Sequence, residues 1–146
     1  VKAGVAYMAI TSGTTTPDNC RVKGVNATAP GEIVGDVCNT GRGWYHGSGS
    51  NICIIFQTIL PPNSVTCAST QPNGEQYNAR VIASASSNHS GGVNTLRADG
   101  TVSFVSDTID VGTKLGTQNT APELGESPFG IWGALGTVAG GESVAP

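Results

Sequence analysis

One dipeptide constrains this chain more than any other feature: Asp99-Gly100, set between Val93 to Ala98 and Thr101 to Ser106. Asp-Gly between two alternating runs is the strongest short-range hairpin signal. Two registers compete. A two-residue turn pairs Ala98 with Thr101 and sets Leu96 opposite Ser103. A three-residue loop, Ala98-Asp99-Gly100 with Gly100 in the left-handed region, pairs Arg97 with Thr101. It sets Leu96 opposite Val102 and Asn94 opposite Phe104. Only the second register gathers Leu96, Val102 and Phe104 on one face, with Arg97, Thr101, Thr95 and Ser103 on the other. A one-residue slip mixes the faces, so the sequence predicts the G1-bulge form.

The rest of the composition suits a neutral, hydroxyl-rich surface. Charged residues are 12% of 146, against an average of about 25%. The formal net charge of −3 gives no basic footprint, which argues against nucleic acid as a partner. At this length a single domain over 1–146 is expected. It divides into an irregular, disulfide-rich part over 1–50, a β-rich part over 51–111, and a C-terminal loop and packing tail over 112–146.

The four cysteines, Cys20, Cys38, Cys53 and Cys67, are even in number and form no CxxC pair. None sits beside His at metal spacing. Two disulfides in an oxidising, exported setting are expected. Three pairings are open. Sequential pairing, Cys20–Cys38 and Cys53–Cys67, would close two short local loops, each contributing about 3 kcal/mol. The longest apolar stretch, Ile52 to Phe56, is far short of the ~20 residues of a membrane span. No basic segment precedes an apolar run, so the expectation is a mature or trimmed form.

The chain reads as mainly β, or α+β with little helix: an antiparallel-sheet head with long disulfide-tied loops. The best helix candidate is Val5 to Ile10, which runs into Thr11 to Pro17, a poor place for a helix to continue. Asp18 to Tyr45 reads as irregular. Ile52 to Leu60 reads as a strand stopped by Pro61-Pro62-Asn63. Gln71-Pro72-Asn73-Gly74 is a turn, and Val81 to Ala85 a further strand. Gly112 to Gly125 reads as loop. Phe129, Ile131, Trp132 and Leu135 are then placed to fasten the C-terminus to the body.

Around the hairpin the sequence resembles a large bacterial family of prepilin-like proteins. Their signature is a His, nine residues, then Asp-Gly, and His89 and Asp99-Gly100 have that spacing. Gly91 and Gly92 lie inside the motif. Two further blocks look like the family. One is Thr58-Ile59-Leu60-Pro61-Pro62-Asn63-Ser64, followed by Cys67. The other is Trp132-Gly133-Ala134-Leu135-Gly136-Thr137, followed by Gly140-Gly141-Glu142. The resemblance implies the β-rich globular head of a type IV pilin-like or pseudopilin-like molecule. Members carry a long hydrophobic N-terminal helix that packs in a filament core. That helix is absent from this sequence, either trimmed or present as a separate stem chain.

Several residues invite a chemical reading. His89 has Ser86, Ser87 and Ser90 nearby, and Asp99 or Asp107 as groups to orient it. No nucleophile elbow surrounds any of these serines. The expected role of His89 is therefore structural: fixing the loop into the hairpin by bonding to backbone or Asp99. Asp99, Asp107 and Asp110 are calcium candidates, although calcium needs 6–8 oxygen ligands and their spacing fits no EF-hand. Trp44, Tyr45 and His46 form a candidate sugar-stacking surface. Asn26 and Asn88 sit in glycosylation sequons. No catalytic residue and no required cofactor is expected.

The reading that unites these features is an exported, cell-surface structural protein: a filament subunit without enzymatic activity. Its partners would be copies of itself or a separate helical stem. An adhesin-like module recognising glycan or calcium is the alternative.

Overall fold

The computed structural model describes residues 5–8, 16–23, 28, 36–38, 55–69, 81–116, 125–138 and 141. The mainly β class holds. Four short strands form one sheet: β1 (Val5–Met8), β2 (Asp36–Cys38), β3 (Thr66–Ser69) and β4 (Val81–Ile82), in the order β2-β1-β3-β4. β1 runs antiparallel to β2 but parallel to β3, with Val5 opposite Thr66, so this sheet is mixed. β5 (Gly92–Leu96) and β6 (Val102–Ser106) form a separate antiparallel pair.

Several elements differ from the sequence expectation. Val5–Met8 is a strand, not the start of a helix. A helix that short has no favourable nucleus of its own, and ladder bonds on both edges outweigh it. Helix α1 occupies Pro17–Lys23 and so runs into the stretch from Asp18 expected to be irregular. Thr16-Pro17 starts a helix here instead of stopping one. Thr16 Oγ1 accepts the Asn19 N–H at 3.1 Å, and Thr16 O accepts that of Cys20 at 3.1 Å. Pro17 fits the first helical position because no N–H is needed there.

The described part of Ile52 to Leu60, residues 55–60, joins no ladder. Ile59 and Leu60 are adjacent yet both buried, which the period-two alternation of a half-exposed strand does not allow. Gln57 instead bonds Ala83 twice, through its backbone N–H at 2.8 Å and through Oε1 accepting the Ala83 N–H at 3.1 Å. Asn63 then turns the chain at φ +60°. Asn tolerates that left-handed backbone better than most residues. Strand β4 is also shorter than expected, ending at Ile82.

Cysteine pairing is non-local. Cys20 of α1 bonds Cys67 of β3 across 47 residues, which overturns sequential pairing for both of these cysteines. The bond ties α1 to β3, and both residues sit in the main core at 0% exposure. Cys38 lies in β2, whereas Cys53 lies outside the described residues, as do Asn26, Trp44, Tyr45, His46 and the Gln71 to Gly74 turn.

Among the described residues, two apolar clusters form the core. The first gathers Cys20, Ile59, Leu60, Val65, Cys67, Leu115 and Phe129. The second gathers Ala85, Val93, Val105 and Trp132. Val111 packs against both. Leu115 comes from a 3-10 turn over Lys114–Gly116, and Trp132 from helix α2 (Gly130–Leu135). Ser84 and Thr66 are buried but satisfied: Ser84 N–H donates to Thr66 Oγ1 at 3.1 Å and Ser84 Oγ to Val65 O at 3.3 Å.

Candidate functional site

The hairpin takes the bulged register. Leu96 faces Val102, Thr95 faces Ser103 and Asn94 faces Phe104. Arg97 N–H donates to Thr101 O at 2.9 Å, and Gly100 N–H donates to Arg97 O at 3.0 Å. Gly100 sits at φ +85°, a backbone that a β-branched residue resists. Asp99 closes the tip. Its Oδ1 accepts the Thr101 N–H at 2.8 Å and also the Thr101 hydroxyl. These two bonds, the hydroxyl's first, hold the Asp99 carboxyl below its ordinary pKa, with the Arg97 charge adding to them.

The two faces of the hairpin have opposite fates. Val93 and Val105 are 3% and 6% exposed and pack on Trp132. Leu96, Val102 and Phe104 are 73%, 65% and 56% exposed. The apolar trio shares one face as the pattern requires, but that face looks away from the core. Trp132 decides the direction, because it covers the face that carries the valines and the small Thr95 and Ser103.

Three distant sequence blocks lock this arrangement. Trp132 is 2% exposed, and its Nε1–H donates to Leu60 O at 2.9 Å. Asn63, two residues after Pro61, holds the loop before β5. Its Oδ1 accepts the Ser87 N–H at 2.9 Å, its Nδ2 donates to Gly92 O at 3.3 Å, and its own N–H donates to Ala85 O at 2.8 Å. Asp110 anchors the start of α2. Its backbone O accepts the Trp132 N–H at 2.9 Å, and its Oδ2 accepts that of Ile131 at 3.4 Å. At the other end of α2, Gly136 lies so close to Thr58 that a Cβ there would come within 2.1 Å of Thr58 Oγ1.

Sequence-derived site residues fall as follows. His89 is exposed, and its backbone N–H donates to Ser87 Oγ at 3.1 Å. A bond from His89 to Asp99 is ruled out by distance. β5 lies between them, and five extended residues span about 17 Å. The calcium candidates separate for the same reason: Asp99 is at the hairpin tip, Asp107 beyond its base, and Asp110 against α2. No group of three or more His, Cys, Asp or Glu able to hold a metal occurs among the described residues. Asn88 is exposed. Phe129 is buried as expected, whereas Ile131 is 38% exposed because it lies on the opposite side of the short helix from the core. Asn63 and Arg97 were not singled out in the sequence. Asn63 was legible as the one residue after Pro61-Pro62 able to turn through positive φ. Arg97 was legible as the lone cation on a face of small hydroxyl residues.

These features define a small, disulfide-linked, mainly β domain whose hairpin is clamped on one side and open on the other. The model of a protein family described as "Protein of unknown function (DUF1559)" matches residues 7–112. The match covers more than half of the chain, which therefore belongs to that family. No curated protein and no solved structure matches it. Among the described residues, no helix is long and apolar enough to cross a membrane.

Proposed function

We propose that this chain is the globular head of a type IV pilus-like or pseudopilus-like filament: an exported, cell-surface structural subunit and not an enzyme. Family membership is consistent with a pilin-like surface protein. The observation that carries the reading is the outward stripe of Leu96, Val102 and Phe104. A solvent-facing sheet surface ordinarily alternates toward polar residues. Here the polar-leaning face is turned inward and the large apolar side chains are presented to whatever docks. The hairpin beneath is fixed by Trp132, Asn63 and the bulge, so the stripe is preorganised, which lowers the ordering cost of association. The Cys20–Cys67 disulfide suits an oxidising, extracytoplasmic setting.

Partners are copies of this chain, or a separate helical stem that brings the membrane-embedded core of the filament. Electron micrographs of native surface material, labelled with antibody to this chain, test the reading. Labelled filaments are expected. Monodisperse particles alone would contradict it.

A further inference from the structure

A groove of about 920 Å³ runs between residues 56–59, the tip half of β5 and α2 with its continuation to Val138. That volume lies at the upper end of ordinary ligand sites, roughly 300–1,000 Å³. Its lining combines three chemistries. Phe56 and Trp132 supply aromatic surface, with rings 6.2 Å apart and only 12° from parallel. Trp132 is buried, but Phe56 is 49% exposed. Thr58, Thr95 and Thr137 add hydroxyls. Arg97 supplies a cation.

Arg97 is the informative residue. Its Nη2 is sealed from solvent and has no hydrogen-bond acceptor among the described residues. No carboxylate among the described residues is ion-paired with it; the one ion pair there is Arg21–Asp18. Its nearest acid along the strand, Asp99, is turned to Thr101. Arg97 lines the groove with no acid paired to it among the described residues, and the group that pairs best with a guanidinium is a planar carboxylate. Charge complementarity therefore names one half of the ligand. The half-exposed aromatic ring and the hydroxyl rim name the other: a sugar ring, which stacks its C–H face on an aromatic and bonds hydroxyls at its edge.

We propose that this groove binds an acidic saccharide, a uronic acid unit whose carboxylate pairs with Arg97 while its ring rests against Phe56. The groove meets the outward stripe of the hairpin at Leu96, but its ligand is argued from Arg97 and Phe56 and does not depend on the filament reading.

Titration of the ¹⁵N-labelled full chain with digalacturonate tests it, with neutral galactobiose and the apolar carboxylate phenylacetate in parallel. Saturable shifts are expected at the amides of Phe56, Arg97 and Thr137. Digalacturonate should bind at least about tenfold more tightly than galactobiose, and more tightly than phenylacetate. Arg97→Gln should weaken it at least about tenfold, as loss of a charge-assisted pair does. No saturable binding, shifts confined to other residues, or equal binding of galactobiose would overturn the proposal. Tighter binding of phenylacetate would overturn the saccharide assignment. Should Arg97→Gln not fold, the wild-type shift map and the ligand ranking decide the matter alone.

Discussion

Replacing Trp132 by Ala tests how the hairpin is held. The side chain is 2% exposed and touches elements from three regions of the chain. Burying an indole removes roughly 150–250 Å² from water, worth about 4–6 kcal/mol at ~25 cal/mol per Å². Measured aromatic-to-Ala losses of about 3–5 kcal/mol point to the same size. Removal also strands Leu60 O, whose N–H partner is lost, although water entering the cavity recovers part of that. A loss near 4 kcal/mol is a large share of the roughly 5–15 kcal/mol that stabilises a domain. Ile131 is the internal control, one residue away on the same helix but 38% exposed. Ile131→Ala should cost no more than about 1 kcal/mol. Urea unfolding followed by far-ultraviolet circular dichroism, with the disulfide intact, measures both. Equal losses for the two variants would refute the assignment of Trp132 as the hairpin's anchor.

Three further outcomes follow from the geometry. Gly100→Val should destabilise the chain by about 1–2 kcal/mol, since Val at φ +85° meets the left-handed penalty; unchanged hydrogen exchange at Gly100 and Thr101 would count against the bulge. Asp99 titrates below the ordinary carboxylate range because the Thr101 hydroxyl and N–H donate to its ionised form. Its contribution to stability is thus fully present above the unfolded-state value near pH 4 and is lost as pH falls through the lower folded value. A carbon-detected titration giving Asp99 an ordinary or raised midpoint would contradict this. Non-reducing peptide mapping should recover Cys20 linked to Cys67, and Cys20→Ser should lose about 4 kcal/mol for a loop of 47 residues; a Cys20–Cys38 peptide would exclude the fold described.

What the sequence made legible was local. Asp99-Gly100 and the spacing of Leu96, Val102 and Phe104 set the hairpin register, because turn chemistry and period-two patterning act within fifteen residues. The same pattern could not tell which face points inward. That depends on Trp132, which arrives from outside the hairpin. β1 carries no strong signal of either kind in Val5-Ala6-Tyr7-Met8, and its pairing with β3 spans about sixty residues. β3 reads as small and polar, Thr66-Cys67-Ala68-Ser69, so its strand state comes from its neighbours. Cys20–Cys67 is non-local for the same reason. Of the candidate site, the three blocks were visible one by one. Their meeting at Leu60, Asn63 and Trp132 was not, since it rests on side chain to backbone bonds across tens of residues. Arg97 gains meaning only when the groove around it is seen.

The central claim is that the open face of the hairpin is a contact between subunits. A photo-crosslinking amino acid placed at Val102 in cells that make the protein measures this directly. A light-dependent product joining this chain to another copy of itself or to a helical stem is expected, abolished by charged substitutions at Leu96 and Phe104. Monomer alone after irradiation, from cells whose surface material carries the labelled chain, would contradict it.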